Sequence, residues 1–199
     1  MKDTELIAKR QEKKRQMGYT IENEVVVNGV PYTFSRRELY DGQFSLVLPE
    51  QFFPMPEDAA RLKFPSENRP KVILCSADGG VCFTFNWMET LVSATSVGKN
   101  ADALRTVIKR INPAFIFHSQ GKYKISEQIV LGYFDFTSYA VDADLYNRAF
   151  AVNIGERLLV GSFICSKESW SGWEPLVEQM LKSIQDHTEG TAEEEKQDG

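Results

Sequence analysis

The chain has 199 residues, a formal net charge of −5, 42% hydrophobic and 12% aromatic residues, a composition suited to one globular domain with a substantial core. No apolar run approaches the roughly 20 residues that a membrane-spanning helix needs, and the opening MKDTELIAKRQEKKRQ lacks the apolar segment of a secretory signal. A cytoplasmic protein with no membrane role is expected, and three cysteines without a Cys-x-x-Cys exclude a disulfide framework and the usual zinc spacings.

Residues 1–18 read as a basic N-terminal arm of helical propensity, with Lys2, Lys9, Arg10, Lys13, Lys14 and Arg15 among sparse apolar positions. The arm has no interleaved aromatics and the whole chain is acidic, so nucleic-acid binding is not expected. Residues 19–40 contain NEVVV, Asn28-Gly29 and VPYTF, a hairpin with a type I′ turn signal, expected as an appendage. Pro31 confines its returning strand to an edge.

The main domain is expected over 41–187. It opens with a strand at Gln43–Leu48, followed by a short helix over Pro56–Leu62 with Pro56, Glu57 and Asp58 in its first turn. Next come KVILCSA and GVCFTFNW, joined by Asp78-Gly79, a second hairpin signal. A two-residue loop there pairs Val72 with Phe85, Leu74 with Phe83, Ile73 with Thr84 and Cys75 with Cys82. Both faces are largely apolar, which places this hairpin at the centre of a sheet covered on both sides. Cys75 and Cys82 read either as a cross-strand redox pair or as small buried apolar residues, the second being the commoner case.

Asn100 caps the next predicted helix, whose Ala103, Leu104, Val107, Ile108 and Ile111 recur at helical spacing and face the core. Strands follow at 115–119, 128–139, 145–153 and 158–165. Turn chemistry at Gln120-Gly121, Asp142–Asp144 and Ile154–Glu156 separates them, and the short connections make them antiparallel neighbours. A final helix is expected over 171–187, with Trp173, Leu176, Val177, Met180, Leu181 and Ile184 on one stripe. Residues 188–199 form an acidic tail with almost nothing to bury, expected to be disordered. The whole reads as an α+β protein, an α/β/α sandwich with a central antiparallel sheet.

The segments FSLVLPEQF, RLKFPSENRPKVILCS, NPAFIFHSQGKY, LYNRAFAVNIGERLLVGSFIC and the closing tryptophan helix resemble the PsbP-like family, over roughly residues 44–184. That family includes the extrinsic photosystem subunit, the Ran-binding nuclear-import factor and bacterial relatives. The resemblance identifies the chain as similar to a bacterial cytoplasmic member. It implies the same sandwich fold, docking to an unidentified protein partner, and no catalytic residues.

Chemistry has little raw material. His118 is a base only beside a nucleophile; a satisfied sheet histidine is the expectation. Asp142 and Asp144 read as turn residues rather than metal ligands. Asp135, between Phe134 and Phe136 on a strand, faces solvent or a basic side chain on a neighbouring strand. No catalytic, cofactor-binding or metal residues are assigned, and no cofactor is expected. Phe53, Met55 and Trp170 are the candidates for partner docking. The chain is therefore expected to be a non-catalytic adaptor or protein-binding domain. The alternatives are a small-ligand carrier or an enzyme, with a pocket between sheet and helix lined by Phe85, Trp87 and Tyr133.

Overall fold

The computed structural model describes residues 18–140 and 143–188. The expected arm helix, all but the first residue of the acidic tail, and Asp142 lie outside the described residues.

Among the described residues, twelve strands and three helices follow in chain order. They are β1 (Val25–Val27), β2 (Val30–Tyr32), β3 (Phe34–Leu39), β4 (Phe44–Pro49), β5 (Phe53–Pro54) and α1 (Glu57–Lys63). Then come β6 (Val72–Cys75), β7 (Cys82–Leu91), α2 (Val97–Ile111), β8 (Ile116–Lys124) and β9 (Val130–Tyr139). β10 (Asp144–Ile154), β11 (Arg157–Ser166), α3 (Trp170–Lys182) and β12 (Gln185–Asp186) complete the set. Seven strands form the central antiparallel sheet, in the order β5-β6-β7-β11-β10-β9-β8.

Alternation of side chains along β10 shows the layering. Phe150, Val152 and Ile154 enter the main core with Trp173, Leu176 and Met180 of α3, whereas Ala151 packs with Val97 and Ala101 of α2. Gly132 permits the close approach of α2, since a Cβ there would lie 2.9 Å from the Ala101 Cβ. Helices thus cover both faces, and the architecture is an α/β/α sandwich. A three-stranded sheet, β12-β4-β3, joins α3 on the main-core face, where Phe44, Leu46 and Leu48 have no exposed surface.

The register of the β6–β7 hairpin is as the sequence predicts: Val72 faces Phe85, Ile73 Thr84, Leu74 Phe83 and Cys75 Cys82. Its position and its loop differ. β11 is the middle strand, and β6 is flanked outward only by the two-residue β5, so the hairpin lies near one end of the sheet. The loop is wider than two residues. Ser76 N–H donates to Val81 O at 2.9 Å and Gly79 N–H to Ser76 O at 2.8 Å, and Gly79 takes a φ of 67° while Asp78 stays at negative φ. At Asn28-Gly29, by contrast, both residues have positive φ (50° and 82°) and close the two-residue turn of β1–β2.

Asp78 supports the wide turn: its carboxylate accepts from the Ser76 hydroxyl at 2.5 Å and the Gly80 N–H at 2.9 Å. These bonds, Ser76 first, hold its pKa below the ordinary aspartate value. A carboxyl with a depressed folded-state pKa stabilises the fold above its unfolded pKa, and that contribution is lost as pH falls through the folded value. Asp78→Asn therefore destabilises by less than about 1 kcal/mol near neutral pH, since the turn is exposed to solvent screening. The difference from wild type shrinks as pH falls from roughly 5 to 2. Paired urea titrations across that range measure it.

Several other expectations change. The β1–β2 hairpin is no appendage: Val25, Val27 and Tyr32 are buried in the main core, and Tyr32 meets Trp173 edge-on at 4.8 Å. The proposed boundary after residue 40 falls inside the β3–β4 hairpin. Ser96, not Asn100, occupies the N-cap of α2, within a cluster of Ser93, Thr95 and Ser96 hydroxyls. Val107 and Ile111, expected inward, are exposed. Gln120-Gly121 lies within β8, beside a register shift between Phe117 and Gln120, instead of forming a turn. The last helix ends at Lys182, and the chain adds β12 to β4.

Candidate functional site

The docking residues expected from the sequence do not come together. Phe53, on β5, is 56% exposed. Met55 is half-buried and packs on Cys75, Cys82 and Ile164 with Phe64. Trp170 is only 8% exposed. It stacks on Tyr146 with ring centroids 4.1 Å apart and contacts Phe163 at 6.3 Å. Phe53 shares a cross-sheet row with Cys75, Cys82 and Ile164, whereas Phe163 points to the other face, so Phe53 and Trp170 lie on opposite sides of the sheet. Trp170, expected as a docking residue, is instead a wall of the core.

What Trp170 covers is a buried ion pair. Arg148 on β10 and Asp135 on β9 are direct cross-strand partners, 3% and 1% exposed. Arg148 Nε donates to Asp135 Oδ1 and Nη2 to Oδ2, both at 2.8 Å, a bidentate pair. Arg148 Nη1 donates to the Tyr123 hydroxyl at 3.2 Å, and Asp135 Oδ2 also accepts from Ser119 (2.7 Å) and Tyr146 (3.1 Å). The guanidinium carbon sits 4.5 Å from the Tyr133 ring centre and 4.9 Å from that of Trp170. Burial alone would push the Arg148 pKa down, but the Asp135 carboxylate more than reverses this and the net direction is up. Burial raises the Tyr123 and Tyr146 phenols well above the ordinary tyrosine value, with the Asp135 charge adding to the effect at Tyr146. Every charged atom here is turned inward onto another protein group. The arrangement ties β9 to β10 through side chains as well as backbone.

The histidines are similarly occupied. His118 Nε2 lies 2.8 Å from Thr137 Oγ1, and its ring stacks parallel to Tyr146. His187 Nε2 lies 2.8 Å from Ser45 Oγ, a nucleophile–base contact that sequence spacing did not reveal. Ser45 has no exposed surface and also accepts from Arg36 Nη1 at 3.1 Å. Asp144 pairs with Lys167 at 3.3 Å. Among the described residues, no group of three or more His, Cys, Asp or Glu is placed to hold a metal ion, and no helix is long and apolar enough to cross a membrane.

The side chains expected to line a pocket are packed against other rings, Tyr133 on Tyr123 at 4.7 Å among them. Phe85 has no exposed surface and packs against Phe83, Phe44 and Phe150. Trp87 meets Tyr40 and Phe44 at tilted angles, its buried Nε1 without a hydrogen-bond partner among the described residues. An open cleft of about 780 Å³ lies elsewhere, between the end of α3 with β12 and the loop joining β8 to β9. Its lining includes Arg36, Ser126, Lys182, Asp186 and His187.

Exposed apolar side chains occur singly at Phe53, Leu62 and Leu91, and three more, Val107, Ile111 and Ile116, belong to the helix and strand at the β8 end of the central sheet. Among the described residues β8 is its outer strand, nine residues long and paired with β9 on one side. Ile116 at its start is 50% exposed, and Ile111, the last residue of α2, is 70% exposed. Four residues connect the two, and Val107, one helical turn before Ile111, is also exposed. The periodicity of α2 gave the signal for these side chains but the wrong direction.

No family model matches the chain, and no curated protein matches it. Solved structures do. The solution structure of cyanobacterial PsbP (CyanoP) from Synechocystis sp. PCC 6803 superposes with a TM-score of 0.54 at 12% identity, covering 77% of this chain and 92% of that one. The Saccharomyces cerevisiae Ran-binding protein Mog1p gives 0.48 at 9% identity, covering 78% and 96%. A Pseudomonas aeruginosa protein of unknown function gives 0.41 at 13%, covering 77% and 97%. The fold is PsbP-like, as the resemblance in the sequence implied.

Proposed function

We propose that this chain is a non-catalytic protein-binding domain that receives an extended segment of its partner along the open edge of β8. One observation carries the reading. Among the described residues the nine-residue β8 is paired on one side only, and Ile116 at its start and Ile111 and Val107 of the preceding helix are three large apolar side chains each half or more exposed. An open edge offers backbone N–H and C=O groups for strand addition, and the adjoining apolar side chains supply the burial. A cytoplasmic setting belongs to the same proposal, and three free cysteines suit a reducing compartment.

Exposed positions can be changed with little cost to the fold, so the surface can be tested directly. Affinity capture from the source cell with the full chain recovers a partner, and the double variant Ile111→Glu, Ile116→Glu reduces that recovery about tenfold or more, equivalent to 1.4 kcal/mol. Equal recovery by both baits removes the β8 edge from the proposal. Loss with Phe53→Glu instead moves the docking site to β5.

The open cleft beside Arg36, Lys182 and His187 supports a second reading, a carrier of a small anionic molecule, since its volume lies in the range of ligand sites. Thermal-shift screening of organic phosphates and carboxylates separates the two. A saturable rise in Tm abolished by Lys182→Ala favours the carrier.

A further inference from the structure

Cys75 and Cys82 occupy directly opposed positions in the β6–β7 hairpin. The bond from Ser76 N–H to Val81 O marks the neighbouring pair as the hydrogen-bonded one, so the cysteines form a non-hydrogen-bonded pair. Side chains approach more closely at such sites, where Cα atoms are about 4.5 Å apart. That falls inside the about 4.4–6.8 Å span of disulfides. Cys165, the third free cysteine, belongs to the main core on the other face of the sheet and cannot reach either of them.

One charged group bears on both thiols. Lys63, the last residue of α1, donates its ammonium to the Gly79 carbonyl at the hairpin tip, and Cys82 Sγ points to the same oxygen at 3.5 Å. The Lys63 charge acts on both thiols. Burial pushes both pKa values up and Lys63 pulls them part of the way back, while at Cys165 burial acts alone and raises the thiol to about 12. Cys75 is 7% exposed and Cys82 not at all, so an oxidant reaches Cys75 first.

We propose that Cys75 and Cys82 form a site of reversible oxidation, closing a cross-strand disulfide at the tip of this hairpin when a peroxide is present. The Cys75 thiolate attacks one peroxide oxygen and the O–O bond breaks. The departing hydroxide takes up the thiol proton, leaving water and a sulfenic acid on Cys75. Cys82 then attacks the Cys75 sulfur, the S–O bond breaks, and hydroxide leaves with the Cys82 proton as a second water. Two electrons pass from the thiols to the peroxide. A dithiol returns them by exchange and restores both thiols.

The test counts thiols in the folded full chain. After hydrogen peroxide and quenching with N-ethylmaleimide in denaturant, labels fall from three to one, the remaining label is on Cys165, and the peptide spanning 72–99 has lost two hydrogens. Dithiothreitol restores three labels. In Cys165→Ser the count falls from two to none, and in Cys82→Ser a sulfenic acid on Cys75 is trapped by dimedone. Three labels persisting after peroxide overturn the proposal. So do oxygen addition without hydrogen loss in the wild type, and disulfide-linked dimers in place of the internal bridge.

Discussion

Replacing Asp135 by Ala is expected to destabilise the fold by about 3–5 kcal/mol, because it strands the Arg148 guanidinium without its counter-charge in a site from which water is excluded. For a chain of this length that corresponds to a fall in Tm of roughly 6–20 °C. The pair itself contributes far less than this figure. Desolvating two charges offsets most of their attraction, so the double variant Asp135→Leu, Arg148→Met recovers more than half of the loss. Urea denaturation of the three proteins measures both quantities. A cost under about 1 kcal/mol for Asp135→Ala would show that Arg148 stays hydrated in the fold, and its enclosure between Tyr133 and Trp170 would be disproved.

How much of this was legible in the sequence depends on the range of the interaction. Register in β6–β7 follows from the two-residue period and a single turn signal, and Val72 does face Phe85. The turn type was misread because Ser76 and Asp78 together stabilise a wider loop, and neither residue alone signals it. Asn100 has the right chemistry for a cap, yet Ser93 and Ser96 begin the helix earlier and leave it in the first turn. Val107 and Ile111 keep helical spacing with Leu104 and Ile108, which pack on Phe134 and Phe136, and nothing local tells which of these side chains are covered. Trp170 is fixed by Tyr146 and Arg148, partners on another element that no local pattern connects to it. The open edge of β8 is likewise a property of strand order. β7 pairs with β11 across an intervening helix and three strands, and that crossover decides which strand remains outermost.

Trp173→Ala is expected to cost about 3–5 kcal/mol through the cavity it leaves. Its indole is 1% exposed and meets Tyr32 at 4.8 Å, Phe163 at 5.4 Å and Phe52 at 6.0 Å. Those three rings belong to the β1–β2 hairpin, to β11 of the central sheet, and to the chain just after β4 of the smaller sheet. The side chain therefore ties together pieces that share few backbone hydrogen bonds, and its loss acts unevenly. The β1–β2 hairpin has only three residue pairs of its own, and two-stranded hairpins are marginal without packing. Hydrogen exchange in Trp173→Ala should show amides of residues 25–32 losing protection first, while those of β9 and β10 remain tied to global unfolding. Trp173→Phe keeps part of the ring contact and falls between the two. Uniform loss of protection across the chain would mean that the hairpin is held by its turn and by the Asn28–Ser169 hydrogen bond, not by the tryptophan.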